Sequence, residues 1–223
     1  NGRCVYPQRA LTLWHALVPA YKTMHEMGGR IPCECGDITM SAFLGDRFMA
    51  LHLGYTQTFG SQTLREAIAV TYSGLPAADI LCFAGAEEGI YICTRTLLKA
   101  GDHAIVLTPN YQAAETLPLA VCEVTGVPLV ESADWALDLD AIRAAVRPNT
   151  RLISINFPNN PTGARLTAAE LDAIARVADQ HGAWILSDEV YRGAELDGQE
   201  TASMWGRSPR AIVTSGLSKA YGL

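Results

Sequence analysis

Five short clusters in this chain carry residue types that could do chemistry, and each follows an apolar run. Ser215-Gly216-Leu217-Ser218-Lys219 sets a lysine among hydroxyls and glycine instead of on a charged helix face, which suits a Schiff-base amine. Ser187-Asp188-Glu189-Val190-Tyr191 places a carboxylate directly behind Ile185-Leu186, partly out of water and in need of a cationic or hydrogen-bonding partner. Pro158-Asn159-Asn160-Pro161-Thr162-Gly163 is a dense hydrogen-bonding turn stiffened by two prolines. Pro109-Asn110-Tyr111-Gln112 offers an aromatic face, which could stack on a flat ligand or cover a sheet edge. Gly85-Ala86-Glu87-Glu88-Gly89 opens a helix with small residues, whose N–H groups can cradle a phosphate or simply allow close packing.

The elements that must position these clusters can be read from periodicity and caps. Ser61 is the N-cap of a helix with Leu64, Ala67, Ile68 and Thr71 on one face. Ile80 to Phe83 reads as a short buried strand, and Ala86 to Lys99 as a helix stopped by Arg95, Lys99 and Gly101. Strands are predicted at His103–Leu107, Val124–Val130, Arg151–Phe157, Ala183–Leu186 and Ala211–Thr214. Helices are predicted at Tyr111–Ala120, interrupted by Pro118, at Asp138–Val146, and after the capping box Thr167-Ala168-Ala169-Glu170. Strands alternating with helices imply βαβ units: an α/β fold with a mainly parallel sheet and helices on both faces. Ligands of such sheets gather beyond the carboxyl ends of the strands, where the five clusters fall. Together they offer a phosphate cradle, an aromatic face, an amide donor, a carboxylate and a lysine. Pyridoxal 5′-phosphate requires this set.

Composition closes off other classes. With 49% hydrophobic residues and a net charge of −6 over 223 residues, the chain can bury a core and is not a disordered segment. The acidic balance argues against a nucleic-acid partner, and the longest apolar runs are far short of the ~20 residues of a membrane span. Six cysteines, with only Cys33 and Cys35 close together, read as reduced thiols and not as a disulfide framework or a metal site. No signal peptide is visible, so a cytoplasmic location is the expectation. No Gly-x-Gly-x-x-Gly follows a strand, which disfavours a nicotinamide-binding protein.

In order, the Asn160-Pro161-Thr162-Gly163 turn, Asp188-x-x-Tyr191 and Ser215-x-x-Ser218-Lys219 resemble the class I/II aminotransferases of pyridoxal-phosphate fold type I, from about Leu53 onward. The resemblance implies Lys219 as the catalytic Schiff-base lysine and proton carrier, Asp188 on the pyridine nitrogen, and Tyr191 and Asn160 on the 3′-oxygen. It implies Tyr111 stacked on the ring, and the backbone of Ala86 and Glu87 with a hydroxyl of Ser215 or Ser218 on the phosphate. Leu53-Gly54-Tyr55 is similar to the segment that reaches a neighbouring subunit, so Tyr55 is implied as a phosphate contact in trans, within a homodimer. Residues 1–50 are expected to form an N-terminal segment associated with a small domain, and 51–223 the cofactor-binding large domain. The chain ends four residues after Lys219. The implied fold is therefore expected to lack its last strands, a phosphate-binding arginine and the small domain with its carboxylate-gripping arginine. The 223 residues alone are expected to turn over poorly. Within the family, Gly-Ala-Glu-Glu, Pro-Asn-Tyr-Gln and Asn-Phe-Pro-Asn-Asn-Pro-Thr-Gly look most similar to the capreomycidine-synthase-like branch. The expected activity is thus amino-group transfer between an amino acid and a keto acid, or an elimination and cyclisation of that branch's type. A non-catalytic product is the third reading.

Overall fold

The computed structural model describes residues 57–222 and two short strands upstream. Those strands, β1 (Arg30–Ile31) and β2 (Ile38–Thr39), pair antiparallel with Arg30 opposite Thr39. The Cys33/Cys35 pair, Tyr55 and most of the expected N-terminal segment 1–50 lie outside the described residues.

Residues Gln57–Ala220 form one compact unit. Helix α1 (Gln62–Ala69) is capped by Ser61, whose Oγ accepts the Leu64 N–H at 3.2 Å. Helix α2 (Ala86–Leu97) leads into β3 (His103–Thr108), and α3 (Gln112–Leu119) into β4 (Glu123–Pro128). Then follow α4 (Leu139–Ala145), β5 (Thr150–Asn156), α5 (Ala168–His181), β6 (Trp184–Asp188), β7 (Ala211–Thr214) and the single turn α6 (Leu217–Ala220). The sheet runs β4-β3-β5-β6-β7 with every neighbouring pair parallel. The chain moves outward from β3 to β4 and then crosses to β5 on the other side. That reversal opens a crevice beyond the carboxyl ends of β3 and β5, where such sheets place ligands.

Strand alternation divides the core between the two faces. Ala104, Leu152 and Leu186 pack with Ile90 and Leu98 on the α2 side. Ile105, Ile153 and Ile185 pack with Ile142 of α4 and with Leu171, Ile174 and Ala178 of α5. The central strands are buried on both sides, so they read as continuous apolar runs. Edge strand β4 tolerates Gly126 and Pro128 because one side of its ladder needs no partner. Helix α5 is set by its ends. Thr167 and Glu170 form a reciprocal capping box, and Gly182 closes the helix with φ +68°, a left-handed conformation that favours glycine.

The predicted strands other than Ile80–Phe83 all form, with ends shifted by no more than two residues. No strand forms at Ile80–Phe83. The Ile80 N–H donates to the Ala77 carbonyl at 3.4 Å and the Cys82 N–H to the Phe59 carbonyl at 3.0 Å, and neither bond belongs to a ladder. Leu81 and Phe83 stay 48% and 36% exposed, so burial does not enforce a ladder there. Helix α2 stops at Leu97, placing Lys99 beyond its last turn. Cys82, Cys93 and Cys122 are free thiols.

At the base of β3 the fully buried His103 places Nδ1 2.8 Å from Thr150 Oγ1 and Nε2 2.8 Å from Thr125 Oγ1. Burial, reinforced by the Arg147 charge and opposed by Glu123, holds its pKa below the usual 6.5. The folded chain therefore binds fewer protons at this site than the unfolded chain. Stability that is present above the unfolded pKa is lost as pH falls through it. The stability of the parent relative to His103→Gln should therefore fall between about pH 8 and pH 5, which paired series of denaturant unfolding measure.

Candidate active site

The site is built on one rung across three strands. Asn156 ends β5, Asp188 ends β6 and Thr214 ends β7, and the parallel register sets all three side by side. The Asn156 amide donates to Asp188 Oδ2 and to the Asp188 carbonyl, each at 3.1 Å. The Val190 N–H donates to Oδ1 at 3.3 Å, and the Thr214 hydroxyl donates to the same oxygen at 3.5 Å. No ion pair among the described residues involves Asp188, which is only 8% exposed. Loss of water pushes its pKa from 3.8 up to about 6; the Val190 and Thr214 hydrogen bonds oppose the rise, and the neighbouring Glu189 charge adds to it. The result is a buried carboxyl with neutral donors and no cation. A protonated ring nitrogen would supply the missing charge.

The turn after β5 separates its two asparagines. Asn159 is buried and serves the turn itself, with Oδ1 accepting from the Thr162 N–H at 3.2 Å and the Thr162 hydroxyl at 2.7 Å. Its Nδ2 donates to the Pro109 and Asn156 carbonyls at 3.3 Å, tying this turn to the one after β3. Asn160 faces outward. Its N–H donates to Asn156 Oδ1 at 3.1 Å and its Nδ2 to the Tyr191 hydroxyl at 3.3 Å. The Lys219 ammonium lies 5.9 Å from the Tyr191 ring centroid, within cation–π range. A cleft of about 560 Å³ is lined by Asn160 and Tyr191 together with Arg165, Glu195 and Asp197. Arg165 grips Asp197 through two hydrogen bonds of 2.8 and 3.1 Å.

Tyr111 caps α3 and donates its hydroxyl to Glu87 Oε2 at 3.1 Å, the main cause of its raised pKa. Glu88 turns back to accept the Ala84 N–H at 2.8 Å. Both carboxylates of the first turn of α2 are thereby engaged by named donors, and Gly85 in extended conformation makes no side-chain cap. The turn after β7 lies against this helix start: a Cβ placed on Gly216 would sit 3.8 Å from Ala86 Cβ and 3.9 Å from Ser218 Oγ. Ser215 points elsewhere, its hydroxyl donating to the Glu189 carbonyl at 3.5 Å and bonding Tyr72. The donor set (helix-start N–H groups, hydroxyl, amide, phenol, carboxyl and amine) fits pyridoxal phosphate.

The structure brings Ala86, Glu87, Tyr111, Asn160, Asp188, Tyr191, Ser215, Ser218 and Lys219 to the carboxyl end of one sheet. It adds Asn156, Glu189 and Thr214, which the motif reading passed over. Each is a polar residue at or just beyond the end of an apolar strand run, and that was the available signal.

A parallel sheet carrying a lysine, a phenol and a buried acid at its carboxyl end defines an α/β enzyme scaffold of the pyridoxal-phosphate transferase type. The family model described as aminotransferase class I and II matches residues 51–223, and the chain belongs to that family. The arginine–pyruvate transaminase of Pseudomonas aeruginosa is 30% identical over 187 residues, covering 80% of this chain and 47% of that protein. The aromatic-amino-acid aminotransferase 2 of Thermococcus litoralis is 34% identical over 179 residues, covering 76% and 46%. A crystal structure of a PLP-dependent aminotransferase from Streptococcus suis superposes with a TM-score of 0.74 at 32% identity, covering 79% of this chain and 47% of that one. The chain thus spans about half the length of the relatives it matches.

The Asp188 geometry has a measurable cost. A raised carboxyl pKa means the folded chain holds more protons than the unfolded one, so the stability is present below about pH 4 and lost as pH rises to about 6. In the cofactor-free protein, the stability of Asp188→Asn relative to the parent should grow between those pH values by about 3 kcal/mol and level off above. Paired pH series of urea unfolding measure this difference, and parallel profiles would refute it.

Proposed function

We propose that the protein is a pyridoxal 5′-phosphate-dependent aminotransferase that moves an amino group between an amino acid and a keto acid, with Lys219 as its catalytic Schiff-base lysine. The observation that carries this reading is the buried, cation-free Asp188, set on one sheet end with Lys219, Tyr191 and Asn160. When bound, the cofactor supplies an electron-accepting ring for the charge that develops at the substrate α-carbon. Asp188 holds the proton on the ring nitrogen, and Asn156 and Thr214 keep its carboxyl aimed. Tyr191 and Asn160 donate to the ring oxygen. Tyr111 covers the ring face, steadied by its bond to Glu87. The Ala86 and Glu87 N–H groups take the phosphate. Ser215 spends its hydroxyl on the Glu189 carbonyl, which supports Ser218 as the hydroxyl partner. Lys219 Nζ takes the proton at the substrate Cα and returns it.

The relatives named above are transaminases, which supports amino transfer over elimination and cyclisation. A homodimer belongs to this reading, with Tyr55 reaching the partner's phosphate site. Apolar side chains left exposed on α1 and α2, among them Leu64, Tyr91 and Ile92, support such an interface. Free thiols at Cys82, Cys93 and Cys122 suit a reducing cytoplasm. No helix among the described residues is long and apolar enough to cross a membrane.

The test is spectroscopic and chemical. The protein with pyridoxal phosphate should develop an imine absorption band that borohydride bleaches and fixes on Lys219. Lys219→Ala should lack the band and lose at least about 10²-fold in turnover. Keto product formed one-to-one with the aminated acceptor identifies transfer, whereas release of ammonia or water would identify the lyase chemistry instead.

A further inference from the structure

Glu189 is a second acid at the end of β6, and the roles above do not use it. It is 2% exposed, more buried than Asp188. Its Oε1 accepts the Met204 N–H at 2.8 Å and the Ser187 hydroxyl at 3.1 Å, and Ser203 contributes a further side-chain hydrogen bond. Its Oε2 is buried with no hydrogen-bond partner. The backbone of the same residue binds both flanks: its N–H donates to the Thr214 carbonyl at 2.8 Å, and its carbonyl accepts the Arg192 N–H at 2.9 Å. Ser215, four residues before Lys219, also donates to that carbonyl. One residue therefore joins the ends of β6 and β7, the turn that carries Tyr191, and the far end of the 190–204 excursion.

We propose that Glu189 is a positioning residue, whose buried carboxyl clamps the Ser203–Met204 segment to the end of β6 and so holds Asp188 and Tyr191 at their working height beside Lys219. A 15-residue excursion, 190–204, leaves the end of β6 and comes back against it at the buried Met204. Without a fastening at its base, the turn at 188–191 would carry that excursion's motion into the site. The charged and titratable groups acting on Glu189 are Asp188 on its own strand, Arg192 on the next turn, and Tyr72 from the segment after α1. Arg192 is itself spent on other partners: it pairs with Glu200, donates to the Thr71 and Thr201 carbonyls, and stacks over Tyr72. It braces the same turn from outside without reaching the carboxyl as a hydrogen-bond donor.

The cofactor part of the test rests on the function proposed above; the hydrogen-exchange part does not. Glu189→Ala should speed amide exchange at 188–191 and at Met204 by at least tenfold in the cofactor-free protein, and weaken pyridoxal-phosphate binding by at least tenfold. Glu189→Gln keeps an acceptor oxygen for Met204 and Ser187, and should restore both readouts to within about threefold of the parent. Arg207→Ala is the control for loosening alone. Arg207 holds the same loop through the Ser203 carbonyl at 2.6 Å and an ion pair with Asp172, away from the site. It should lower the melting temperature while leaving exchange at 188–191 and cofactor affinity unchanged. Should Glu189→Ala fail to fold, Ser187→Ala removes one donor to the clamp and should give a smaller change in the same two readouts. The proposal is overturned if exchange at 188–191 stays at the parent value in Glu189→Ala, or in Ser187→Ala where that variant replaces it. It is overturned equally if Arg207→Ala reproduces the changes. Failure of the parent itself to bind pyridoxal phosphate would sink the function above, while the exchange result would still decide the clamp.

Discussion

The burial of the Asp188 carboxyl is the constraint around which the rest of this structure is arranged. A charge removed from water needs partners, and two strands and the turn after β6 supply them: Asn156, Thr214 and the Val190 backbone. These donors are neutral, so they moderate the penalty without cancelling it, and the acid titrates near 6. A group held in this condition favours any ligand that brings a positive charge to it. The fold supports that condition with apolar side chains beneath, the buried Leu152 and Leu186 on the same face of the sheet. Stability given up at one rung is recovered in the layers under it.

The turns above the sheet serve the same end by different means. Asn159 is an internal fastener that stitches the β5 turn to the β3 turn, and this leaves Asn160 free to face Tyr191. Glu87 and Glu88 bond to Tyr111 and to the chain before α2, so negative side chains at a helix start do not occupy the space before its N–H groups. In both cases adjacent residues of the same type do opposite jobs. The path of the backbone, and not residue chemistry, sets the difference.

That distinction explains how much was legible from the residues alone. The five strands of the sheet, the α5 capping box and the Ser61 cap follow from local patterns, because apolar runs and cap chemistry are local causes. The order of the polar clusters located the site, since four of the five sit at or directly after the end of a strand of one parallel sheet. The roles of Asn156 and Thr214 depend on register between strands distant in sequence, which no local pattern encodes. Ile80–Phe83 fails in the other direction: its composition suits a strand, yet a strand exists only where a neighbour completes the ladder. What separates Ser215 from Ser218 is likewise invisible locally: the Ser215 hydroxyl donates to the Glu189 carbonyl, 26 residues away in the chain.

The rung formed by Asn156, Asp188 and Thr214 has a consequence for assembly of the sheet. Strand side chains alternate, so a slip of β6 by one residue would turn Ser187 or Glu189 toward Asn156 and drive Asp188 into the apolar layer. Neighbours on both sides would then confront a mismatched partner. The polar rung thus acts as a keyed joint: the apolar layers below would accept several alignments of β6, and this rung accepts one.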